Sequence, residues 1–517
     1  MSTSDPGYRD GLPIRDWYAS EERPKPIRDR YAKLEALRDL GVEPYAYSYS
    51  TSHSLADAHD AYEEGADAER IRVAGRILSL RDMGKSAFAH LGDRSGRLQI
   101  YCKRDGMEER EWQILELLDL GDWVGVEGSL FRTRTGEITV HVDSLTLLSK
   151  TLRPLPLGKT EVLEDGSEVV HSGFADVEMR YRQRYADLAV HPAVRDTFAA
   201  RAKIVGALRR FLDEQGYLEV ETPILQPLYG GAFARPFTTH HNTLDRTMYL
   251  RIADELYLKR LIVGNLDRVY EIGKVFRNEG LDRTHNPEFS MLELYRAYAD
   301  YEDMMATAEE LVSAAAAAVL DRTVVEWNHQ TVDLSTPWKR ISFHDAIREF
   351  TDLDARVASL DDLRKALPED ADRPEELDRS ELLDGLFSSR VEPNLVNPTI
   401  VFDYPIEMSP LAKPKRGDPE LAERFEVIVG GTELINAFSE LNDPIDQWDR
   451  FAAQARARED EKLEPQSIDV DYVRALEYGL PPTGGLGLGV DRLVMLLTGQ
   501  SAIRDVLLYP VLRQYDE

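Results

Sequence analysis

Short runs in which apolar and polar residues alternate dominate residues 69–150. Turns that contain glycine separate these runs, so the pattern predicts about five short strands. Such strands are typical of a small Greek-key barrel of the OB type, which commonly binds nucleic acid on its sheet. A purely structural barrel is the alternative. Residues 1–68 form an extension with one predicted helix, in which Ile27, Leu34 and Leu37 have helical spacing.

A long mixed pattern of helices and strands follows in residues 191–517. Its first helix places Ile204, Leu208 and Leu212 on one stripe and leads into a strand before Pro223. A buried helix–strand pair of this kind often forms a dimer surface. We therefore expect an α+β multidomain chain in which an N-terminal OB-fold barrel precedes a larger domain with an antiparallel sheet flanked by helices.

Two segments interrupt these domains. Residues 151–190 read as a basic linker with a hairpin around Asp165-Gly166. Residues 342–398, approximately, turn acidic, and their helical pattern breaks at Pro368 and at Pro374. We interpret this second segment as a helical insertion in the larger domain.

The stretch from Phe276 to Asp300 is the densest in chemistry. An apolar-alternating strand delivers Arg277 and Glu279 to a polar loop, and a second strand follows. Period-2 alternation places four of its side chains on one face: Phe289, Met291, Glu293 and Tyr295. A guanidinium suits phosphate and a strand aromatic can stack on a base, so this hairpin resembles a platform for an anionic ligand. A surface hairpin with ordinary ion pairs is the alternative.

A second hairpin turns at Gly430-Gly431. A two-residue turn there would make Glu426 and Glu433 diagonal neighbours on one face, where two carboxylates can hold a hard divalent cation. Three further polar or aromatic positions share the opposite parity, so a bulge is required if all five line one pocket. These positions are Asn436, Phe438 and Glu440.

Composition restricts the function classes. The 517 residues are 43% apolar, enough for roughly three domains with large cores. A formal net charge of -30 argues against non-specific nucleic-acid binding but not against a local basic groove. This negative net charge is expected either of a protein that works in a salty cytoplasm or of an ordinary, mildly acidic protein. The single cysteine, Cys102, excludes an internal disulfide and a cysteine-cluster metal site.

Neither a charged-then-apolar leader nor a long apolar run is present. We therefore expect a soluble, cytoplasmic protein with no membrane partner.

Three motifs in order resemble those of class II aminoacyl-tRNA synthetases. The helix, strand and proline at Lys203 to Pro223 are similar to class motif 1, FRNEG…HNPEF at Phe276 to Phe289 to motif 2, and GLGLGVDRL at Gly485 to Leu493 to motif 3. Three further runs resemble the lysine-type, or lysyl-tRNA synthetase, versions: MLELYRAYADY after motif 2, RYRQRYADL at 180–188 and FSELNDP at 438–444. The resemblance extends over almost all of residues 70–510.

The resemblance implies a two-step activity. L-lysine would be activated by ATP to lysyl-adenylate and then transferred to the 3′ end of tRNA(Lys), with Mg2+ as cofactor and a homodimer as the assembly. Arg277 and Arg492 would be the catalytic residues, and Glu426 and Glu433 would hold the metal ions.

The resemblance also implies three sets of binding residues. The ATP site would comprise Arg277, Glu279, His285, Asn286, Phe289, Glu426 and Arg492. The lysine pocket would comprise Glu255, Glu293, Tyr295, Asn436, Phe438 and Glu440. The barrel would contact the anticodon through Arg81, Phe88 and Gln99. Carboxylates and an aromatic wall suit a long apolar stem that ends in an ammonium group.

Three rival functions stay open from the sequence. One is an asparaginyl- or aspartyl-type synthetase on the same scaffold. Another is a paralogue that attaches lysine to a protein, although such paralogues resemble the catalytic half alone. The last is a non-catalytic RNA-binding or scaffold paralogue. Comparing the activation of the candidate amino acids separates these possibilities.

Overall fold

The computed structural model describes residues 14–64, 70–162, 168–171, 173–232, 234–368, 371, 375, 377–460 and 468–513. They form two compact units, one up to Val190 and the other from His191 to Arg513. The hairpin turn predicted at Asp165-Gly166 and the helix break predicted at Pro374 lie outside the described residues. No helix within the described part of the chain is long and apolar enough to cross a membrane.

The first unit is built on a closed five-stranded barrel, which confirms the predicted OB fold. Its helices are α1 (Ile14–Ala19), α2 (Lys25–Asp39), α3 (Leu55–Asp60) and α4 (Glu109–Glu116). Its barrel strands are β1 (Arg70–Asp82), β2 (Ser86–Gly92), β3 (Arg97–Lys103), β4 (Trp123–Arg132) and β5 (Ile138–Ser149). They close in the order β1-β2-β3-β5-β4, in which β3 and β5 are parallel and the other pairs antiparallel.

The barrel has a continuous apolar core that the preceding helices extend. Alternate residues of the strands point inward, and Leu37 of α2 and Leu55 of α3 join the same cluster. Cys102 of β3 is buried there as well, and this burial raises the pKa of its thiol to about 12. The cysteine is therefore a core residue without reactive thiolate character.

The remainder of the first unit is short. Strands β6 (Lys159–Val162) and β7 (Glu168–His171) pair antiparallel, and helices α5 (Val177–Arg182) and α6 (Arg184–Val190) follow. Buried Asp187 accepts hydrogen bonds from Arg184 Nη1 at 2.6 Å and from Arg180 Nε at 2.7 Å. Two charge-assisted bonds to one carboxylate therefore fix the geometry of the α5–α6 corner.

The second unit contains ten α-helices and fourteen strands within its described residues. The helices are α7 (Pro192–Glu214), α8 (Glu255–Val263), α9 (Tyr301–Ala317), α10 (Phe343–Thr351), α11 (Leu360–Ala366), α12 (Arg379–Leu386), α13 (Pro444–Asp460), α14 (Val470–Glu477), α15 (Val490–Thr498) and α16 (Ile503–Val506). The strands are β8 (Leu218–Glu219), β9 (Leu225–Gln226), β10 (Thr238–His241), β11 (Arg246–Leu250), β12 (Arg268–Phe276), β13 (Glu288–Ala297), β14 (Val324–Trp327), β15 (Gln330–Asp333), β16 (Lys339–Ser342), β17 (Thr399–Pro405), β18 (Pro414–Lys415), β19 (Asp418–Val429), β20 (Thr432–Ser439) and β21 (Thr483–Gly489).

The main sheet of this unit is antiparallel in its centre and parallel at both edges. Its order is β16-β17-β19-β20-β21-β13-β12-β8, and β18 pairs with β19. The predicted antiparallel sheet is thus correct for the central strands, whereas β16 and β17 at one edge and β12 and β8 at the other run parallel. Neighbouring parallel strands need a long crossover connection, which a purely antiparallel prediction leaves out.

One face of the sheet is covered by helices and the other opens to a cavity. Leu292 and Leu294 of β13 point into the core that α7, α9 and α15 cover. Glu293 and Tyr295, at the alternate positions, line the cavity. The predicted face of β13 is therefore the face that the structure presents to the site.

The acidic segment predicted as an insertion makes one of the crossovers. Helices α10, α11 and α12 connect β16 to its parallel neighbour β17. They have a core of their own around Phe343, Leu383 and Phe387. That core also includes Val401 of β17 and Ile428 of β19, so the segment packs on the sheet as well as lengthening the chain.

Candidate active site

A cavity of about 480 Å³ lies on the open face of the main sheet. It is lined by every residue of the second unit that the sequence singled out for ATP, lysine or metal binding. These residues are Glu255, Arg277, Glu279, His285, Asn286, Phe289, Glu293, Tyr295, Glu426, Glu433, Asn436, Phe438, Glu440 and Arg492. Residues far apart in the chain therefore meet around one space, as a small-molecule site requires.

The loop between β12 and β13 presents a guanidinium beside an aromatic ring. The Cζ atom of Arg277 lies 5.3 Å from the ring centroid of Phe289. The main-chain N–H of Arg277 donates to the carbonyl of Pro287 at 2.9 Å, which closes the base of the loop. The buried Nε of Arg277 has no hydrogen-bond partner among the described residues. A donor in this position can serve a ligand anion.

The same loop is linked to the first turn of α15. Asp282 accepts hydrogen bonds from the main-chain N–H and the Nδ1 of His285, both at 2.7 Å. Burial opposes ionisation, but the hydrogen bonds from His285 and Thr284 outweigh it and lower the pKa of Asp282 to about 2. Arg492 Nη2 lies 3.3 Å from Nε2 of His285. Arginine can only donate, so Nε2 accepts and Nδ1 carries the proton that bonds to Asp282.

Two other residues predicted to bind ATP differ in their surroundings. The Asn286 side chain donates from Nδ2 to the carbonyl of Glu288 at 2.6 Å and accepts from the main-chain N–H of Val511 at 3.3 Å. Both polar atoms of the Asn286 side chain are thus bonded to main-chain groups, so Asn286 shapes the cavity wall. Glu279 is exposed at the mouth of the cavity.

A bulge in the β19–β20 hairpin brings both parities of side chain to the cavity. Ile428 pairs with Glu433, whereas Val427 pairs with Ile435, so Leu434 is the extra residue. Glu426 then lies opposite Asn436, and Glu433 still faces the cavity. The bulge that the sequence required is therefore present.

Arg424, which the sequence analysis missed, organises this hairpin. Its Nη2 donates to Oε1 of Glu426 at 2.5 Å, and its Nε donates to Oδ1 of Asn436 at 3.2 Å. Its guanidinium lies 4.6 Å from the ring centroid of Tyr404, whose hydroxyl donates to Oε2 of Glu426 at 2.9 Å. The Arg-x-Glu spacing on one strand was the available signal, because it places both side chains on one face.

Glu426 and Glu433 are the candidate metal ligands. No cluster of three or more suitable side chains occurs among the described residues. Mg2+ is commonly held by one or two carboxylates together with substrate phosphates, and these two glutamates fit that pattern. Burial, with repulsion from Glu433, outweighs Arg424 and raises the pKa of Glu426 to about 7. A cation between the two carboxylates would relieve this unfavourable charge.

The opposite end of the cavity is lined by buried carboxylates and a tyrosine. Glu255 starts α8, Glu293 and Tyr295 lie on β13, and Glu440 follows β20. The Tyr295 hydroxyl donates to Oε2 of Glu293 at 2.9 Å. Burial, together with the charges of Asp254 and Glu255, holds the pKa of Glu293 well above its usual range. Such a cluster favours a cationic ligand group.

A glycine makes room for this end of the cavity. A Cβ atom on Gly485 would lie 2.0 Å from Oε1 of Glu440 and 2.6 Å from Cε1 of Tyr295. Gly485 belongs to the GLGLG run, which by itself was weak evidence for phosphate binding. In the structure, this glycine gives space to the carboxylate and the tyrosine instead.

A buried arginine lies behind the carboxylates and was also missed. Arg251 donates from Nη1 to Oε1 of Glu271 at 2.6 Å and lies 3.9 Å from Asp254. A Cβ atom on Gly273 would lie 2.0 Å from Nη2 of Arg251, so the strand passes close to this guanidinium. Arg251 therefore supplies buried positive charge next to the acidic end.

The residues predicted to contact an anticodon share one face of the barrel. Arg81 lies directly opposite Phe88 in the β1–β2 pair. The Phe88 ring is 4.7 Å from that of Tyr101, which is itself 6.1 Å from Phe131 and 5.7 Å from His141. The strand register brings this aromatic patch together, and Phe88 is the one member of it that was predicted from the sequence.

Gln99, the third predicted contact, is held by its neighbours. Its Nε2 donates to Oε2 of Glu137 at 2.8 Å, and its Oε1 accepts from Thr139 Oγ1 at 2.8 Å. Glu137 also lies 2.8 Å from Nε2 of His90. This polar cluster lies beside aromatic side chains, an arrangement suited to unstacked bases.

Two family models match the chain. The model described as tRNA synthetases class II (D, K and N) matches residues 176–513, and the model described as OB-fold nucleic acid binding domain matches residues 71–148. The chain belongs to the class II tRNA synthetase family.

Three proteins of similar sequence are lysine–tRNA ligases. A lysine–tRNA ligase of Carboxydothermus hydrogenoformans is 48% identical over 95% of this chain and 98% of its own length. One of Pelotomaculum thermopropionicum is 50% identical over 94% of each, and one of Staphylococcus epidermidis is 46% identical over 96% of this chain and its full length. The similarity thus covers both the barrel and the larger unit.

Proposed function

We propose that the chain is a lysine–tRNA ligase, which activates L-lysine with ATP and transfers it to tRNA(Lys). The observation that carries this proposal is the distribution of charged side chains along the cavity. Arg277 and Arg492 line it together with the paired glutamates of the β19–β20 hairpin, and buried carboxylates with Tyr295 line its far end. The similarity to lysine–tRNA ligases over 94–96% of the chain supports the same function.

The acidic end favours lysine over the substrates of the related enzymes. Glu440 and Glu293 are buried, and neither would tolerate the side-chain carboxylate of aspartate next to it. An ammonium group neutralises them, and the rings of Tyr295 and Phe438 suit its apolar stem. Asparagine would bring no charge to this end, which makes an asparaginyl- or aspartyl-type activity the poorer fit.

The first step needs no nucleophile from the protein. The lysine carboxylate attacks the α-phosphorus of ATP, a new P–O bond forms, and pyrophosphate leaves. Arg277 would neutralise charge that develops on the α-phosphoryl oxygens, and Phe289 beside it would stack on the adenine. Arg492, fixed by His285 and by the main-chain carbonyl of Glu433, would contact the outer phosphates.

Mg2+ bound to Glu426 and Glu433 would supply positive charge to the triphosphate. Arg424 and Tyr404 hold the Glu426 carboxylate for this role, which preorganises the site before ATP arrives. In the second step a terminal tRNA hydroxyl attacks the adenylate carbonyl and AMP leaves. Both steps therefore depend on positioning and charge neutralisation.

The barrel is proposed to bind the anticodon of tRNA(Lys). Phe88 would stack on a base, and Arg81 and Gln99 would bond to base edges. The homodimer is proposed from the class motif 1 resemblance of α7 and β8. Apolar side chains that are exposed in this region, among them Leu218 and Ile224, suit such an interface.

ATP–pyrophosphate exchange with lysine, aspartate and asparagine tests the proposal. Exchange that depends on lysine alone, followed by acceptance of lysine by tRNA(Lys), is the expected result. Exchange that depends on aspartate or asparagine would show that this amino acid, and not lysine, is the substrate. Absence of exchange with all three amino acids would favour a non-catalytic protein.

A further inference from the structure

A lysine of the protein itself joins two of the acidic residues that line the cavity. Lys259 lies on α8 one turn after Glu255, and its side chain is fully buried. Its Nζ lies 2.5 Å from Oε1 of Glu255 and also forms an ion pair with Oε2 of Glu440. Glu255 and Glu440 come from distant parts of the chain, so this ammonium is a bridge between α8 and the end of β20.

The groups that surround Lys259 come from four elements. Tyr295 of β13 presents its ring centroid at 6.0 Å from Nζ, and the hydroxyl of Tyr472 on α14 faces the ammonium. Three charged groups lie just beyond the bridge, and they are Glu293, Asp254 and Arg251. Buried carboxyl groups outnumber buried cations here, so the loss of one cation would change the charge of the whole cluster.

The charges explain why an ammonium is stable in this position. Burial would lower the pKa of Lys259, but Glu255 and Glu440 outweigh it and hold this pKa well above its usual range. Burial raises the pKa of Glu440 to about 8, with Lys259 acting in the opposite direction and Glu255 adding to the rise. Without Lys259 both effects on Glu440 would favour its neutral, protonated form.

Glu440 keeps part of its bonding capacity for a ligand. Both of its buried oxygens lack a hydrogen bond of good geometry among the described residues, and its contact with Lys259 is an ion pair. Its Oε1 points to the space that Gly485 leaves beside the Tyr295 ring. One oxygen thus faces the internal ammonium, and the other is placed for a second cation.

We propose that Lys259 is a positioning and specificity-determining residue, whose ammonium bridges Glu255 and Glu440 and holds both side chains in place for the ammonium groups of the substrate. This inference deepens the proposed function and rests on it. Lys259 does not touch the reacting atoms, so it acts through the two carboxylates. The pocket favours a cationic amino acid because this internal cation holds two carboxylates at its end and offsets part of the burial that favours the protonated form of Glu440.

The test replaces Lys259 with methionine, which has similar length and no charge. Steady-state ATP–pyrophosphate exchange is measured on the full-length protein between pH 6.5 and pH 9, where the ε-ammonium of free lysine stays charged. The lysine KM of Lys259→Met is expected to rise by at least about tenfold at pH 7, the factor that corresponds to one pKa unit. This defect should shrink as pH rises and the carboxylic acids ionise, while the KM for ATP changes by less than about twofold.

Two further variants separate charge from packing. Lys259→Arg keeps the charge, so its lysine KM should follow the pH profile of the wild type even if its bulk lowers the melting temperature. Lys339→Met removes a surface lysine that pairs with Glu349 and is expected to change nothing. Lys259→Gln, uncharged but able to donate hydrogen bonds, serves if the methionine variant does not fold, and its KM should show the same pH dependence as expected for Lys259→Met.

A lysine KM of the uncharged variants that matches the wild type, or that is raised equally at every pH, would overturn the inference and leave Lys259 a merely structural residue. The wild-type protein distinguishes this from failure of the proposed function. If the wild type shows no lysine-dependent exchange, the proposed function fails. If the wild type exchanges normally and the variants lack the pH dependence, the role of Lys259 alone fails.

Discussion

Arg424 and Glu426 lie two residues apart on β19, and the guanidinium of one fixes the carboxylate of the other through a 2.5 Å hydrogen bond. The Tyr404 hydroxyl holds the second oxygen of Glu426. A carboxylate with both oxygens engaged keeps one orientation, so a cation or a triphosphate meets a preformed partner. Arg424 also donates to Asn436, which couples Glu426, the candidate metal ligand, to the wall of the proposed amino-acid pocket.

Arg424→Met should weaken the use of Mg-ATP more than the binding of lysine. A partner that orients a metal ligand typically contributes about 10- to 100-fold in affinity or activity. We therefore expect kcat/KM for Mg-ATP to fall by this factor in pyrophosphate exchange. A defect confined to lysine, seen as a raised lysine KM with unchanged kcat/KM for Mg-ATP, would show that Arg424 serves Asn436 instead. Arg348→Met, on the exposed face of α10, is the matched control.

Arg277→Ala should abolish adenylate formation without unfolding the protein. The Arg277 side chain contacts Phe289 at the cavity, and its Nε has no protein partner among the described residues, so the fold depends little on it. Loss of one preorganised charge at the transition state typically costs 10²- to 10³-fold in kcat, or about 3 to 4 kcal/mol. Exchange near the wild-type rate, with an unchanged melting curve, would contradict the assignment.

Glu440→Ala should raise the lysine KM or lower turnover by a large factor. The Glu440 side chain is only 1% exposed, and loss of one partner from a buried ion pair costs roughly 3 to 5 kcal/mol. Glu440→Gln keeps the volume, so comparison of the two variants isolates the charge. Unchanged kinetics for lysine in both variants would remove Glu440 from the pocket.

Phe88→Ala should separate the two halves of the reaction. Stacking of one base on an aromatic side chain contributes about 1 to 3 kcal/mol, so aminoacylation should show a higher KM for tRNA(Lys) by roughly 5- to 150-fold. Lysine-dependent pyrophosphate exchange needs no tRNA and should stay at the wild-type rate. Tyr478→Ala removes an exposed aromatic side chain outside the barrel and provides a control for tRNA binding. A normal tRNA KM in Phe88→Ala would assign the aromatic patch a structural role.

His344 should make the larger unit less stable in mild acid. Burial, with repulsion from Arg356, lowers the pKa of His344 from 6.5 to about 4. The unfolded chain therefore binds a proton that the folded chain does not between these values. The free energy of unfolding is highest above pH 6.5 and falls as pH drops toward 4, by at most about 1.4 kcal/mol per pH unit from this group.

Thermal unfolding of His344→Leu between pH 4.5 and pH 7.5 measures that contribution. The variant should lose less stability than the wild type over this range. Parallel pH profiles for the two proteins would show that the imidazole takes up its proton without unfolding.

The sequence predicts the strands that carry the chemistry better than the contacts that tune it. Alternation along β13 correctly places Glu293 and Tyr295 on one face, and the parity of Glu426 against Asn436 correctly requires a bulge. These inferences depend only on the period of a strand and the length of a turn. Local geometry of this kind is encoded by neighbouring residues.

The missed features depend on residues that are distant in sequence. Glu255 and Lys259 lie four residues apart on one helix, but their third partner, Glu440, arrives from β20. The strand predicted before Pro223 comprises only Leu218–Glu219, because only these two residues pair with β12. Neither outcome follows from periodicity, since each is decided by which elements the sheet order brings together.

The bulge at Leu434 determines which face of the sheet each later side chain of β20 points to. If Leu434 instead lay opposite Val427 in a regular register, Ile435 would lie opposite Glu426. Asn436 and Phe438 would then turn toward the helices, while Ile435 and Ala437 faced the cavity. Substitutions in the amino-acid pocket can therefore change selectivity gradually, whereas a shift of the bulge would exchange its polar wall for an apolar one in a single event. A one-residue insertion or deletion between Ile435 and Glu440 should consequently be far less tolerated than a point substitution there.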